Sequence, residues 1–489
     1  MKMKRNRFFK SCILGVVVLF LVSCGETKKE GVNEEETKVT ETRLKIESEK
    51  KFQKIESFGA SGAWWSQDVG GWTQEEKNGL SKRDYIAELL FDSEKGIGLT
   101  SYRYNLGAGS ADTLNSSKIT DPWRRGESFE VAPGQYDWTK DSNAQYMLNQ
   151  AVSRGVNDIY FFVNSPLERL TKNGRAYGEE DGKFSNFDKS NYQEYFDYLF
   201  DVTEHFLAEG IPVKYLSPLN EPQWEWIGGQ EGSHFTPEET VDLAKAIYQA
   251  KQKRPNLNEV ELSVPELGEW ANTSYDYYDE MINDVEFMSY YKTWDIHSYW
   301  STSFQKEDAK AYFEKHDLDI ELKMSEWTEM VNGKDIGMDS ALNLATQIYE
   351  DLTILDVVDW QYWIAVSSYD YRDGLIYVDV NTKEIEQTKR LWAMGNFSKF
   401  IRAHAQRIEV SLDNPDIKSV GFVNEDDSIY IVIINNQLND YQVKLPDEYY
   451  AKVAFETSEN ANLDTIFENE KKQNVLIPAQ SIITLEVAK

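Results

Sequence analysis

Two glutamates follow short strand-like runs, at positions where both could act on one bond. Glu221 comes after the run Val213–Leu219, and Glu326 comes directly after the run Glu321–Ser325. Cleavage of a glycosidic bond needs two carboxyl groups that flank it, one protonated to assist the leaving group and one ionised to attack. The order of the strand-like runs predicts that the two glutamates end the fourth and seventh strands of a barrel. Reacting groups gather at that end of such a fold, so the pair indicates chemistry on a sugar.

Strand-like runs alternate with longer segments of helical spacing between residues 57 and 403. One helix start is clearly marked, because Thr236-Pro237-Glu238-Glu239 has the spacing of a capping box with proline at the first helical position. Eight such units predict an α/β fold, a (β/α)8 TIM barrel. The strand runs are Phe58–Trp65, Leu99–Leu106, Asp158–Asn164, Val213–Leu219, Val260–Pro265, Thr293–His297, Glu321–Ser325 and Val357–Trp363. Helices are predicted at Lys82–Phe91, Asn143–Arg154, Asn191–Ala208, Pro237–Lys253, Tyr275–Tyr291 and Ser340–Leu355.

The C-terminal part of the chain has a different pattern. Short alternating runs, among them Ile429–Asn435 and Ser481–Val487, are separated by polar turns. This pattern predicts an all-β sandwich over residues 404–489. Residues 43–56 are expected to add a strand to that sandwich before the barrel begins at residue 57, so the two domains would be interleaved in sequence.

Composition narrows the class of protein. The 489 residues include 83 acidic and 52 basic side chains, which gives a formal net charge of −31. Such an acidic surface repels phosphate backbones, so we expect no nucleic-acid partner. Hydrophobic residues make up 41% of the chain, enough for a packed core, and 14 Trp, 28 Tyr and 23 Phe offer rings on which sugars can pack.

The first residues have the pattern of an export signal. Five basic residues precede an apolar run from Cys12 to Val22, which ends in Leu21-Val22-Ser23-Cys24 and resembles a bacterial lipobox. This pattern predicts a signal peptide at 1–23, lipidation of Cys24 and a flexible tether at 24–42. We therefore expect an exported lipoprotein, and the absence of aspartate after Cys24 favours the outer membrane. Cys12 would leave with the signal, so no thiolate metal site is expected.

At the level of motifs the chain resembles glycoside hydrolase family 30. The residues that carry the resemblance are FGASGAWW at 58–65, YRYNLGAG at 102–109, NEPQW at 220–224, SEW at 325–327 and NFSKFIR at 396–402. Asn164-Ser165-Pro166 with TKNG at 171–174, and the double tryptophan, look most like the endo-β-1,6-galactanase-like branch. The resemblance covers essentially the whole mature chain.

The resemblance implies roles for the residues around the pair. Glu221 would be the acid/base and Glu326 the nucleophile, with retention of anomeric configuration. Asn220 is suited to hydrogen-bond the sugar 2-hydroxyl, a contact that strengthens in the transition state. Arg103 could hold the nucleophile ionised, since a nearby cation lowers a carboxyl pKa. Tyr299 could donate to Glu326.

The remaining candidates are a histidine and aromatic side chains. His297 ends the sixth strand beside the nucleophile strand, and either Trp363 or Trp360 would form the floor of the pocket, with Trp363 preferred. Further substrate contacts are expected from Trp65, Trp224 and Asn164.

Three functions fit the sequence. The first is an endo-acting β-1,6-galactanase, and the second is an exo-acting β-xylosidase, β-glucosidase, glucosylceramidase-like enzyme or β-fucosidase of the same fold. The third is a surface lipoprotein that binds a glycan without cleaving it. In each case the expected partners are a β-linked oligo- or polysaccharide and a membrane through the lipid anchor, with a monomeric chain, no cofactor and no metal.

Overall fold

The computed structural model describes residues 39–77, 79–179 and 182–489. The predicted signal peptide, Cys24 and the tether up to residue 38 lie outside these residues. Within the described residues, no helix has both the length and the apolar character needed to span a bilayer.

A closed barrel of parallel strands forms the larger part of the chain, as predicted. Its first to eighth strands, in chain order, are Ser57–Ser61, Ser101–Asn105, Asp158–Phe162, Val213–Ser217, a fifth strand in two pieces (Glu261–Leu262 and Pro265–Leu267), Thr293–Ile296, Glu321–Trp327 and Asp359–Tyr362. The two pieces of the fifth strand close the ring, because the first pairs with the fourth strand and the second pairs with the sixth. The C-terminal ends of all eight parallel strands therefore lie at the same mouth of the barrel.

Helices cover the barrel, and five of the six predicted helices lie within two residues of their expected bounds. The predicted helix Lys82–Phe91 has those bounds, and the predicted capping box is present, with Thr236 Oγ1 accepting from Glu239 N at 3.2 Å. The single helix expected over Tyr275–Tyr291 is instead two helices, because the Asp284 side chain accepts from Phe287 N at 2.9 Å and caps a new start. The helices are α1 Ser66–Val69, α2 Lys82–Phe91, α3 Ser142–Ser153, α4 Tyr192–Ala208, α5 Pro237–Lys251, α6 Ser274–Asn283, α7 Val285–Tyr290, α8 Ser303–Lys315, α9 Met338–Ile354 and α10 Lys389–Ser398.

The second domain is a β-sandwich completed by a strand from the N-terminal side of the barrel. Its strands are Thr40–Lys54, Gln406–Leu412, Lys418–Val423, Ile429–Asn435, Tyr441–Lys444, Tyr450–Ser458, Ala461–Lys472, Asn474–Ile477 and Ser481–Ala488. The strand Thr40–Lys54 pairs in parallel with Tyr441–Lys444 through its first residues and antiparallel with Gln406–Leu412 through the rest. It therefore begins three residues earlier than the strand expected at 43–56, and residues 40–42, assigned above to the tether, belong to the sheet.

Specific contacts fix the sandwich against the barrel. In α10, Asn396 Nδ2 donates to Thr484 Oγ1 at 2.9 Å, and Thr484 Oγ1 donates back to the Asn396 carbonyl at 2.8 Å. Arg402, just after α10, donates its backbone N–H to Asn424 Oδ1 of the sandwich at 3.2 Å, and its side chain donates to the carbonyl of Gly98 in the barrel at 2.8 Å. The NFSKFIR motif thus lies at the junction of the two domains.

Candidate active site

Glu221 lies just beyond the fourth strand, where the backbone turns its side chain into the barrel mouth. Its φ of 43° is in the left-handed region, and its N–H donates to the carbonyl of Glu266 at 2.8 Å. The carboxyl group is buried, and Oε1 lies 3.0 Å from His297 Nδ1. Burial raises the pKa of Glu221 above its usual range; His297 opposes this rise and the charge of Glu326 adds to it. A raised pKa favours the protonated form, which a general acid needs.

Glu326 lies within the seventh strand and is held by two donors. Arg103 Nη1 donates to its Oε2 at 2.8 Å, and the Tyr299 hydroxyl donates to its Oε1 at 3.0 Å. The guanidinium also lies 4.3 Å from the centre of the Phe162 ring, which packs against it on the barrel interior. These donors orient the carboxylate and offset its negative charge, which is the arrangement an attacking carboxylate requires.

The two carboxyl groups face one cavity. Ligand atoms of Glu221, His297 and Glu326 all lie within 4.8 Å of one another. A separation of about 5–5.5 Å is characteristic of retaining glycosidases, whereas inverting enzymes leave about 6.5–9.5 Å for a water. The cavity has a volume of about 290 Å³ and is further lined by Asn164, Asn220, Trp224, Trp226, Gln230, Tyr299, Trp300, Met330 and Trp363.

His297 connects the pair to a third glutamate that the sequence analysis missed. Its Nε2 lies 2.9 Å from Oε2 of Glu266, which is fully buried on the fifth strand. Burial lowers the pKa of His297, but the charge of Glu326 and hydrogen bonds to Glu221 and Glu266 outweigh it and raise that pKa to about 10. For Glu266 burial has the opposite effect and raises the pKa. The charge of Arg103 and then the contact with His297 outweigh burial and lower the pKa of Glu266 to about 2. Glu266 also follows a strand-like run, and that position was the available signal.

The same three groups could in principle hold a cation, since two carboxylates and an imidazole are metal ligands. A ligating histidine must be neutral, however, and His297 has a pKa of about 10 with both ring nitrogens facing carboxyl oxygens. The Arg103 guanidinium adds a further positive charge beside Glu326. The donor set therefore fits a proton better than a metal ion.

Most of the predicted site residues meet at this cavity. Arg103, His297 and Tyr299 contact the glutamate pair, while Trp224 and Trp363 line the cavity wall. Asn164 and Asn220 also line it, and in the described part of the chain neither Oδ1 atom has a hydrogen-bond partner. Each of these two amides therefore has an unpartnered acceptor oxygen at the cavity wall.

Trp65 is an exception, and its prediction as a substrate contact is wrong. Its side chain is fully buried in the barrel core, where the indole N–H donates to the carbonyl of Ser61 at 2.9 Å. The neighbouring Trp64 lies beside the cavity instead, packed edge-on against Trp363 with ring centroids 5.0 Å apart. Trp360 is also in the core, where its indole N–H donates to Asp351 at 2.9 Å. Trp363 is thus the strand-eight tryptophan that lines the cavity.

Trp300 is an aromatic residue at the cavity mouth that the sequence analysis did not select. It is 53% exposed, has a left-handed φ of 49°, and contacts Trp224 edge-on with ring centroids 5.4 Å apart. The available signal was its position directly after Tyr299 in the loop that follows the sixth strand. An exposed indole at the mouth offers a flat face to a sugar ring.

Carboxyl groups paired across the mouth of a (β/α)8 barrel, with a β-sandwich attached, define the class of glycoside hydrolases. The family model described as O-Glycosyl hydrolase family 30 matches residues 41–291 and 322–377, and the Glycosyl hydrolase family 30 beta sandwich domain matches residues 404–485. The chain belongs to glycoside hydrolase family 30, as its motifs indicated.

Comparisons with individual proteins agree with this assignment. An endo-beta-1,6-galactanase of Hypocrea rufa is 27% identical over 40% of this chain and 43% of its own length. The chain thus spans less than half of that relative. Putative glucosylceramidase 2 of Caenorhabditis elegans is 23% identical over 84% of this chain and 80% of its own length. A conserved exported protein from Bacteroides fragilis has the same fold, with a TM-score of 0.81 and 24% identity over 91% of this chain and 100% of its own.

Proposed function

We propose that the chain hydrolyses β-glycosidic bonds in a polysaccharide with retention of configuration. The observation that carries this proposal is the approach of the Glu221 and Glu326 ligand atoms to within 4.8 Å in one cavity. This approach is closer to the separation of about 5–5.5 Å in retaining enzymes than to the range of about 6.5–9.5 Å that admits a water, so a direct attack by one carboxylate is favoured.

In the proposed reaction, a Glu326 oxygen attacks C1 and the C1–O bond to the leaving group breaks. Glu221 gives its proton to the leaving oxygen, which produces a covalent glycosyl-enzyme and a Glu221 carboxylate. That carboxylate then takes a proton from water, the hydroxide attacks C1, and the ester bond to Glu326 breaks. Arg103 and Tyr299 offset the charge on Glu326 before attack and after release.

The cavity walls suggest where the two sides of the substrate lie. The unpartnered Oδ1 atoms of Asn220 and Asn164 can accept hydrogen bonds from sugar hydroxyls, and Trp363 can pack against the ring that is attacked. The leaving group must lie beside the acid. Trp224 shares the loop of Glu221 and contacts Trp300, so these two indoles are placed to bind the leaving sugar.

As the substrate we propose a β-1,6-galactan cleaved by endo action. Support comes from the NSP and double-tryptophan motifs and from the similarity to the Hypocrea rufa endo-beta-1,6-galactanase. The test is a panel of β-1,6-galactan, β-1,6-glucan, xylan and aryl β-glycosides, given to the protein beginning at residue 39. Release of a ladder of galactooligosaccharides supports the proposal, and activity confined to another polymer overturns the substrate assignment.

Exo action on a single terminal sugar is the second candidate. It is favoured by the small cavity, about 290 Å³, and by the similarity to a putative glucosylceramidase along most of both chains. The early products distinguish endo from exo action. Exo action releases only single sugars from the start of the reaction, whereas endo action releases oligosaccharides. A glycan-binding protein without activity, the third candidate, would release no reducing sugar from any member of the panel.

We further propose that Cys24 is lipidated and that the chain is anchored to the outer membrane by this group. The support is the lipobox-like sequence before Cys24 and the polar segment after it. Labelling of the full chain with a radioactive fatty acid tests this, with Cys24→Ser as the control. Label that persists in the serine variant would overturn it, and fractionation of the envelope tests the location.

A further inference from the structure

Glu266 has more partners than a structural carboxylate needs, and the reaction proposed above does not use it. Its Oε1 accepts from the hydroxyl of Ser263 at 2.7 Å, and its Oε2 accepts from the hydroxyl of Ser325 at 2.6 Å. The same Oε2 lies 2.9 Å from His297 Nε2 and 3.5 Å from Arg103 Nη2. The side chain is fully buried, so these four groups hold it in one orientation.

His297 lies between this carboxylate and the reacting pair. Its Nδ1 is 3.0 Å from Glu221 Oε1 and 3.6 Å from Glu326 Oε1. A neutral imidazole carries one N–H and one bare nitrogen, whereas an imidazolium carries two N–H groups. If the ring were neutral with its N–H on the Glu266 side, Nδ1 would be a base directly beside Glu221. The acid's proton would then have a competing acceptor 3.0 Å away.

We propose that Glu266 is a positioning residue that keeps His297 in the doubly protonated form, so that Nδ1 always donates and never takes the proton that Glu221 must give to the leaving group. The proposal rests on the proposed function and adds to it a reason why this proton is directed to substrate. Glu266 does not line the cavity, and its carboxylate faces the reacting pair through His297 and, at 3.5 Å, through Arg103.

The same geometry serves both halves of the reaction. When the leaving oxygen takes the proton of Glu221 and Glu326 bonds to C1, the negative charge moves from Glu326 to Glu221. The Nδ1–H of His297 lies within reach of both carboxyl groups, so the cation remains beside whichever of them is charged. No atom of His297 has to move far for this exchange.

The charged groups around His297 come from several strands. Arg103 lies on the second strand, Glu221 follows the fourth, Glu266 is on the fifth, and Glu326 is on the seventh. His297 directly follows the sixth strand, with Asp295 on that strand and Tyr299 in the loop after it. Burial raises the pKa of Asp295 well above its usual range, so Asp295 adds little negative charge beside His297. Glu266 is therefore the anion that faces Nε2 directly.

The test is the variant Glu266→Gln, which keeps the shape and a hydrogen-bond acceptor but removes the charge. The protein is labelled with ¹⁵N-histidine, and the ring nitrogens of His297 are followed by NMR at pH 7, with His297→Gln used to assign them. Two protonated nitrogens are expected in the parent protein and one in Glu266→Gln. A neutral ring in the parent, or an imidazolium in the variant, overturns the proposal whether or not the chain is a glycosidase.

The kinetic part compares two leaving groups on one glycone. A dinitrophenyl group leaves without protonation, whereas a sugar alcohol needs the proton of Glu221. Glu266→Gln is expected to slow the sugar substrate by about 10²-fold more than the dinitrophenyl substrate. This ratio does not depend on how much of the variant is folded, and equal losses on both substrates would leave Glu266 with a structural role only.

Ser263→Ala is the matched control for Glu266→Gln. It removes one hydrogen bond from the same carboxylate and leaves its charge in place. The proposal expects an unchanged leaving-group ratio and an unchanged His297 signal in this variant. A change as large as that of Glu266→Gln would show that orientation, and not charge, is what His297 requires.

Discussion

The backbone N–H of Glu221 donates to the carbonyl of Glu266 at 2.8 Å, which ties the ends of the fourth and fifth strands together. Both residues have positive φ values, 43° and 53°. A residue with a Cβ is strained in this region, and such strain persists only where surrounding contacts hold it. Here the contacts are the buried hydrogen bonds of the two carboxyl groups with His297. The position of the candidate acid thus depends on its neighbouring strand as well as on its own.

The first prediction concerns the proposed nucleophile. Glu326→Ala should be folded and inactive, because the carboxyl group that remains among the described lining residues, that of Glu221, is the proposed acid. Added azide can enter the space left by the side chain and should restore turnover as an α-glycosyl azide from a β-glycoside. In Glu221→Ala with an activated substrate, azide should instead give the β-glycosyl azide. Product stereochemistry by NMR is the measurement, and a reversal of these two results would exchange the assigned roles.

The second prediction concerns pH. Burial raises the pKa of Glu221 above its usual value of 4.5, and an acid catalyst acts only while it is protonated. The kcat/KM for a sugar leaving group should therefore fall on the alkaline side with a midpoint above 4.5. With a dinitrophenyl leaving group, which needs no proton, the alkaline fall in kcat/KM should be smaller than with a sugar. This is expected of the parent protein and of Glu221→Gln alike. An alkaline limb that survives unchanged in Glu221→Gln would assign it to another group.

The third prediction concerns a glycine behind the acid. A Cβ on Gly268 would lie 2.8 Å from Glu221 Oε1 and 2.7 Å from Trp224 Nε1, closer than real contacts allow. Gly268→Ala should therefore displace the acid and lower kcat by about 10²-fold while the fold is kept. Gly337→Ala is the control, because its added Cβ would meet only the Asp335 side chain, at 3.3 Å. Activity and circular dichroism of both variants test this, and full activity of Gly268→Ala would contradict it.

The fourth prediction concerns the leaving-group side. Trp300→Ala should raise KM for a polymeric substrate about tenfold, which corresponds to ~1.4 kcal/mol of lost stacking. Aryl glycosides with small leaving groups should change less. Phe304→Ala is the control, since Phe304 is 74% exposed but is not among the residues that line the cavity. Equal effects of the two substitutions would remove Trp300 from the binding site.

The fifth prediction concerns stability. The pKa of His297 is about 10 in the folded protein against 6.5 for the free side chain. Its contribution to stability is therefore complete below pH 6.5 and is lost as the pH rises through 10. His297→Gln should unfold at lower temperature than the parent at pH 6, with a cost of about 3–5 kcal/mol for a broken buried ion pair. The difference in melting temperature should shrink towards pH 10, and a difference that stays constant would contradict the assigned charge.

Sequence periodicity was sufficient to predict the architecture, and it placed Glu221 and Glu326 at barrel strand ends that face one cavity. The helix Lys82–Phe91 and the strand Ile429–Asn435 have their predicted bounds, because apolar spacing along a short segment is a local property. Glu221 and Glu326 were selected because side chains at the C-terminal ends of barrel strands lie at the mouth where the loops gather. The family motifs then added Arg103, which contacts Glu326.

Other features depend on contacts between distant segments, and these the sequence did not reveal. Glu266 lies in the second piece of the fifth strand, which is interrupted after Leu262, so alternation along the sequence carried no clear sign of which side chain faces inward. Trp64 and Trp65 are adjacent and chemically identical, and only the turn after the first strand decides that Trp65 is in the core. Trp300 is placed at the cavity mouth by a left-handed residue conformation that no local pattern predicts.

The sandwich is built from both ends of the described chain, and this limits how the protein can be divided. Leu44 and Ile46 of the strand Thr40–Lys54 lie in the same apolar cluster as Ile408 and Val443. A gene fragment that stops before residue 404 would expose those two side chains to water, and a fragment that starts there would lack its linking strand. Neither fragment contains a complete hydrophobic core for the sandwich. A domain exchange between related proteins would therefore have to transfer the N-terminal strand together with residues 404–489.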